Sequence, residues 1–364
     1  FERDEDGGDE EDERAAPTIT ALNENGVVGI CCDLVAIGVP EDLQMEVIKL
    51  MTGMLFKEGG AREVQSAVHS YLTKTDSELF FKQCRHTIHT LIAWHKWNDV
   101  IILEEGEDPE PPESILLIRM LQLLSEGHYL PNQDIMREQP HNVQNVNLLD
   151  DFVMYFNTLS RIRCRTSTAA ATAVGDVIVE VIQGPCMGNQ AHFALNTDLL
   201  EVQNRVLRSK TVNDCDDDEE IGVKKCCLDT ISALLEGQMP KDQVTERILS
   251  VIHLDIILQL SKPPQFDENK SADLSEEQVS LQTDCGVLLQ MLCDYKPSLR
   301  EELEEEGGFE MDMEATASVE ISWNGVLNRR FFPKPDICGL LAKSSMDRLV
   351  TTIDRSNPEN KLID

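Results

Sequence analysis

The chain has 364 residues and a formal net charge of −34, and it is 41% hydrophobic but only 5% aromatic. That length can bury two or three real cores, and the composition fits a helix-rich protein packed by Leu, Val and Ile. So negative a surface disfavours nucleic acid and anionic lipid as partners. It suits divalent cations or basic partners, although an acidic surface is most often simply solvated.

The eleven cysteines include the adjacent pairs Cys31-Cys32 and Cys226-Cys227 and no CxxC. They read as reduced, buried thiols of a reducing compartment. No apolar run approaches the roughly 18 to 20 residues of a membrane span. The acidic start "FERDEDGGDEEDER" is not a signal peptide. The missing initiator Met and the abrupt end at "NKLID" point to a piece of a longer protein.

In chain order, residues 1–17 are too acidic to bury a core and are expected to be disordered. Residues 18–103 read as helices: "GVVGICCDLVAIG", "EDLQMEVIKLMTGMLFKEGG" opened by Pro40, "AREVQSAVHSYLTKT" with Val64, Ala67, Val68, Tyr71 and Leu72 on one stripe, and "DSELFFKQCRHTIHTLIAWHKW". Helices of this length with short loops predict an armadillo-like solenoid, although no strict internal repeat is visible in the letters. Residues 104–114, "EEGEDPEPPES", form an acidic, Pro-rich linker.

Residues 115–262 read as a second helical domain. It starts with a buried helix over "SILLIRMLQLLSEGHYL", followed by helices at "NLLDDFVMYFNTLSRIR", "ATAVGDVIVEVIQ", "HFALNTDLLEVQNRVLR", "GVKKCCLDTISALLEG" and "QVTERILSVIHLDIILQL". The run "NDCDDDEE" is expected to be a loop. Residues 263–277 form another linker. Residues 278–364 are expected to be a small α+β domain: a helix at "SLQTDCGVLLQMLCDYK", then strands at "ASVEISWNG", "VLNRRFFPKP" and "DRLVTTID". The predicted fold class is therefore mainly α, a stacked-helix solenoid followed by a small α+β domain.

Little in the residues asks for catalysis, and we expect no enzyme. His86, His89 and His95 share a helix with Cys84, but without a third ligand at zinc spacing the packed amphipathic helix is the better reading. "CDDDEE" lacks the alternating ligands and closing Glu of an EF-hand. "GVVG" lacks the Lys and spacing of a phosphate loop. Cys186 fits a buried structural thiol better than a reactive one.

Two glutamates call for more. Glu126 ends "LLIRMLQLLSE" before Gly127, and Glu180 lies near the end of "VGDVIVEVIQ" before Gly184-Pro185. An acid in the last turn of a helix faces the negative end of its dipole, typically at about 0.3–1 kcal/mol. Such acids are commonly just exposed residues of amphipathic helices. A cation between them, with carbonyls freed at the helix ends, would equally relieve the repulsion.

The segment "IRMLQLLSEGHYLPNQDIMREQ" resembles the "FLQLLCE(G/N)H…LQN.LR.Q" signature of intracellular calcium-release channels, and "VEVIQGPCMGNQ" resembles their "LTEYIQGPC.GNQ". Both belong to the RIH-associated region shared by ryanodine and inositol trisphosphate receptors, and they occur here in the family's order. Upstream, "ITALNENGVVGICCDLVAIG…SYLTKTDSELFFKQC" resembles the end of the family's preceding helical-repeat region. The tail "ASVEISWNGVLNRRFFPKPDICGLLAKSSMDRLVTTIDRSNPENKLID" resembles the inositol trisphosphate receptor branch. Val179 and Val181 depart from the family's Thr and Tyr, which marks a divergent member.

The resemblance implies a cytosolic regulatory and coupling region of a Ca²⁺-release channel, on the endoplasmic reticulum or another Ca²⁺-storing organelle. It implies regulatory Ca²⁺ held by Glu126 and Glu180 with His128 and Gln183 around them, and a backbone oxygen from a segment after the pore. Lys361 falls where the family contacts ATP phosphates. The implied partners are the channel's own transmembrane and C-terminal segments in a homotetramer, with no nucleic acid. The alternative is a helical interaction scaffold of the same descent without a channel.

Overall fold

The computed structural model describes residues 17–57, 59–74, 77–105, 109–162, 164–209, 217–262, 275–307, 316–323 and 326–333. The described residues fall into two compact units, one within 1–238 and 246–252, the other within 239–245 and 253–364. The N-terminal segment expected to be disordered, apart from Pro17, lies outside the described residues.

The helices of the first unit are α1 (Pro17–Glu24), α2 (Val27–Ala36), α3 (Glu41–Leu55), α4 (Arg62–Lys74), α5 (Glu78–Glu105), α6 (Leu116–Ser125), α7 (Leu130–Arg137), α8 (Leu148–Leu159), α9 (Arg165–Glu180), α10 (Met187–Asn196), α11 (Leu199–Arg208) and α12 (Asp217–Leu234). They stack in three columns. In the first, α3, α6, α9 and α12 each pack on the next. The second runs α4, α7, α10, and the third α5, α8, α11. One helix from each column makes a repeat, so the expected armadillo-like solenoid has three helices per repeat.

Local chemistry sets the helix starts. Pro40 precedes α3, whose first turn carries Glu41 and Asp42 against the positive end of the dipole. The Asn147 side chain accepts the Leu149 N–H at 3.0 Å to cap α8. Cys164 and Ser167 form a reciprocal capping box at the start of α9, where Ser167 Oγ accepts the Cys164 N–H at 3.1 Å. The apolar segment around α6 is buried on most sides, by Leu117, Ile118, Met120, Leu121, Leu123 and Leu124.

Contrary to the reading of the letters, an internal repeat is present. The segments after α3, α6, α9 and α12 read "EGGAREVQ", "EGHYLPNQ", "QGPCMGNQ" and "EGQMPKDQ", each with Gly six residues before Gln. Gly59, Gly127, Gly184 and Gly237 all have positive φ, of 70°, 67°, 105° and 70°. In the first three copies the Gln is the fourth residue of the following helix, α4, α7 or α10. Each of these Gln side chains is buried and its Nε2 donates to two carbonyls at the first-column helix end of the next repeat. Gln65 reaches Leu123 O (2.9 Å) and Glu126 O (2.8 Å). Gln133 reaches Glu180 O (2.7 Å) and Gln183 O (2.8 Å), and Gln190 reaches Ala233 O (2.7 Å) and Glu236 O (3.1 Å). A helix end leaves such carbonyls without an internal partner, although Ala233 O also accepts the Glu236 N–H at 3.2 Å. Gln243, of the fourth copy, belongs to the second unit and is exposed. The copies are unevenly spaced along the chain, which conceals the repeat in the sequence.

Several expected elements differ in detail. The β-branched "VIVE" is helical, because Val177, Ile178 and Val179 are buried and packing overrides their strand propensity. "HFALNTDLLEVQNRVLR" is broken at Thr197-Asp198 into α10 and α11. The acidic run expected as a loop becomes helical at Asp217, and residues 210–216 lie outside the described residues. "QVTERILSVIHLDIILQL" forms two helices, α13 (Gln243–Val251) and α14 (Leu254–Leu260). Among the described residues no single helix is long and apolar enough to cross a membrane. The bent pair α1 and α2, at 67°, passes that test only by combined length and composition.

The second unit contains α14, α15 (Glu276–Tyr295), α16 (Ser298–Gly307) and the antiparallel strands β1 (Thr316–Trp323) and β2 (Val326–Pro333). The acidic "REELEEEG" is thus part of a helix. The hairpin expected in the tail forms, with Trp323 opposite Val326 and β2 against α15. The small α+β domain is not supported: among the described residues the sheet is one two-stranded hairpin, too little for such a domain. The third expected strand, at 347–354, lies outside the described residues.

Candidate functional site

Glu126 and Glu180 end the neighbouring first-column helices α6 and α9. Glu126 is the residue after the last turn of α6, its backbone already extended at φ −47° and ψ 139°, and its N–H still donates to Gln122 O. Gly127 and His128 follow with φ of 67° and 62°. A Cβ on Gly127 would lie 2.0 Å from Gly59 O, so only glycine fits where the turns of successive repeats meet. The next contact is as tight: a Cβ on Gly184 would lie 2.5 Å from the His128 Cβ. His128 and Gly184 therefore press the Glu126 turn against the Glu180 turn. Arg62 closes the other side, donating to Gly127 O with its guanidinium 5.3 Å from the centre of the Tyr129 ring.

Glu180 is the last residue of α9, and the repeat shows how unusual an acid is there. The equivalent residues, whose carbonyls take the same Gln amide, are Leu123 and Ala233, both in the core. Glu180 is half-buried in their place, and its Oε2 is buried without a hydrogen-bond partner. Burial, Glu126 and Asp176 push its pKa up to about 7, against a partial pull downward from Arg119. Asp176, one turn earlier on α9, is also raised, chiefly by burial, and it accepts a weak hydrogen bond from Cys226 Sγ at 3.8 Å. Arg119 is the nearby cation. Its Nη1 donates to Gln122 Oε1 at 2.7 Å and its guanidinium lies 5.8 Å from the centre of the Phe56 ring.

The structure thus brings Glu126, Glu180, His128 and Gln183 into one pair of stacked turns. His128 is exposed, and Gln183 contributes its carbonyl to Gln133. Lys361 lies outside the described residues. Asp176 escaped the sequence reading, although it precedes Glu180 at the i, i+4 spacing that puts two side chains on one helix face. Carboxylate oxygens are the kind a hard cation takes, and Glu180 Oε2 is buried without a hydrogen-bond partner. They do not complete a shell: among the described residues no group of three or more His, Cys, Asp or Glu side chains is arranged to hold a metal ion.

The other singled-out residues have structural partners. His89 Nε2 is 2.9 Å from Asp151 Oδ1, and Arg85 Nε donates to Asp151 Oδ2 at 2.8 Å. His95 is buried edge-on to Trp94 and Tyr155. Cys186 is buried with its thiol pKa pushed up to about 11, chiefly by burial, which keeps it protonated and unreactive. Every described cysteine is buried.

Residues 113–207, which include both glutamate turns, match the family described as RyR and IP3R homology associated. This is a domain of the regulatory regions of channels.

Proposed function

Because residues 113–207 relate the chain to the ryanodine and inositol trisphosphate receptors, we propose that it is the cytosolic regulatory and coupling region of an inositol trisphosphate receptor-like Ca²⁺-release channel. In this reading Glu126 and Glu180 are ligands of a regulatory Ca²⁺. One observation carries it: Glu180 stands where the neighbouring repeats bury Leu123 and Ala233, and its Oε2 has no partner.

Without a cation, the Glu180 carboxylate is opposed by burial and by Glu126 and Asp176. Bound Ca²⁺ would supply the positive charge that makes both carboxylates favourable as anions. The chain's part is to hold the two acids on turns in direct contact, where Gly184 lies so close to His128 that a side chain between them would force the turns apart. Proton and cation compete for Glu180, so affinity falls as pH is lowered through about 7.

Ca²⁺ takes about 6–8 oxygen ligands, so oxygens from another segment complete the shell. That requirement is the coupling: a cation that binds best when two parts of the protein meet shifts the population towards the joined state. A homotetramer, the organelle membrane and ATP at Lys361 belong to the same proposal. Calorimetry on a protein joining this region to the segment after the pore should show Ca²⁺ binding that Glu126→Gln and Glu180→Gln each largely abolish. Equal affinity in all three proteins contradicts the assignment.

A further inference from the structure

The buried amides are not only fold chemistry, and their placement assigns two of them a role at the glutamate turns. We infer that Gln65 and Gln133 are positioning residues that set where Glu126 and Glu180 stand; the inference rests on the reading of that pair as a cation site. Neither amide touches a carboxylate. Gln65 Nε2 donates to the carbonyl of Glu126 itself, and Gln133 Nε2 to that of Glu180 itself, at 2.8 and 2.7 Å. Each also holds a second carbonyl one turn away, Leu123 O or Gln183 O. A planar amide with two N–H groups spent on two carbonyls fixes the path of the turn and so the origin of the acidic side chain.

Both amides come from the preceding repeat, and both are buried, at 0% and 1% exposure. Their helices are linked in turn. Asn132 Nδ2 donates to Gln65 O (3.3 Å) and Leu124 O (2.8 Å), and Asn189 Nδ2 to Gln133 O and Val181 O (both 2.8 Å). The ladder therefore runs from the Glu126 turn to the Glu180 turn through backbone and amide alone. On the far side, Glu236 Oε2 accepts the Gly184 N–H at 3.1 Å. The Glu180 turn is gripped from both neighbouring repeats.

The repeat supplies its own control. Gln190 makes the same two bonds at the end of α12, where the residue equivalent to Glu180 is Ala233. Gln133→Leu, Gln65→Leu and Gln190→Leu each remove the same two bonds to carbonyls, and Gln190→Leu also the one its Oε1 accepts from Gln238 Nε2 at 2.9 Å, so a purely structural role predicts a loss of thermal stability in each, no smaller for Gln190→Leu, and nothing more. Positioning predicts a split. Gln65→Leu and Gln133→Leu weaken Ca²⁺ binding by about 10–100-fold, the usual effect of losing a group that orients a metal ligand, while Gln190→Leu, which reaches the Glu180 turn only through Glu236, weakens it less than either.

Amide hydrogen exchange on the Ca²⁺-free proteins gives a second readout. Gln133→Leu should speed exchange selectively at residues 181–184, and Gln190→Leu at 235–238. Equal loss of affinity in all three variants, or exchange that rises uniformly, overturns the inference. If the unmodified protein binds no Ca²⁺, the cation assignment fails and the exchange pattern alone decides the positioning role.

Discussion

At the scale of single residues, Glu180 is the sharpest departure from ordinary packing. Its folded pKa, about 7, lies above its ordinary value of 4.5. Between those values the folded state holds a proton that the unfolded state has released, so stability falls as pH rises through that window. Glu180→Gln keeps the shape and removes the ionisation. We expect it to flatten this part of the stability–pH curve and to raise stability at pH 8 by on the order of 2 kcal/mol, allowing for its partial exposure. Urea denaturation at pH 5 and pH 8 reads both effects, and an unchanged slope contradicts the account. The sequence located Glu126 and Glu180 near helix ends, Glu126 directly before Gly127 and Glu180 shortly before Gly184-Pro185. It could not disclose that Glu180 replaces a core residue, because that depends on which residues are equivalent between repeats. Asp176 and Arg119 escaped for a related reason: their influence is through space.

At the scale of elements, the repeated turn is the unit that builds the site. Gly127→Ala places a side chain in the left-handed region, at about 1–2 kcal/mol, and drives its Cβ into Gly59 O, 2.0 Å away. We expect a larger loss than either cause gives alone, visible as a lowered Tm, and a Tm within error of the unmodified protein sinks the stacked-turn geometry. Removing the Gln190 amide takes a donor from Glu236 O, at a cost of about 1–3 kcal/mol, while Ala233 O keeps the Glu236 N–H. Gln190→Leu therefore should destabilise the first unit measurably even though no ligand is involved. Helix existence was largely legible from apolar spacing and from Pro40, Gly127 and Gly184. The boundaries were not. The β-branched "VIVE" favoured strand until burial was known, and the breaks at Thr197-Asp198 and Ile252-His253 interrupt runs that look continuous in apolar pattern.

At the scale of the molecule, three columns of helices build the first unit, and within it each repeat is held to the next by apolar contact and by the amide ladder. In such a chain stability is shared between neighbours. Phe156→Ala in α8 or Phe193→Ala in α10, both fully buried, should each cost about 3–5 kcal/mol and loosen adjacent repeats before distant ones, as hydrogen exchange would record. The solenoid was legible from helix lengths and short loops. Its repeat was not, because the glycines recur at uneven intervals and only the turn letters are shared. The tail was the weakest reading: a hairpin forms, but the α+β domain expected around it is not supported.

The central claim is that Glu126 and Glu180 share a bound Ca²⁺. It is tested most directly by anomalous diffraction near the calcium edge, on crystals of this region joined to the segment after the pore and grown with Ca²⁺. The account predicts one strong peak about 2.3–2.6 Å from a carboxylate oxygen of each glutamate. Density that leaves both carboxylates without a cation, in crystals where Ca²⁺ is bound elsewhere, contradicts it.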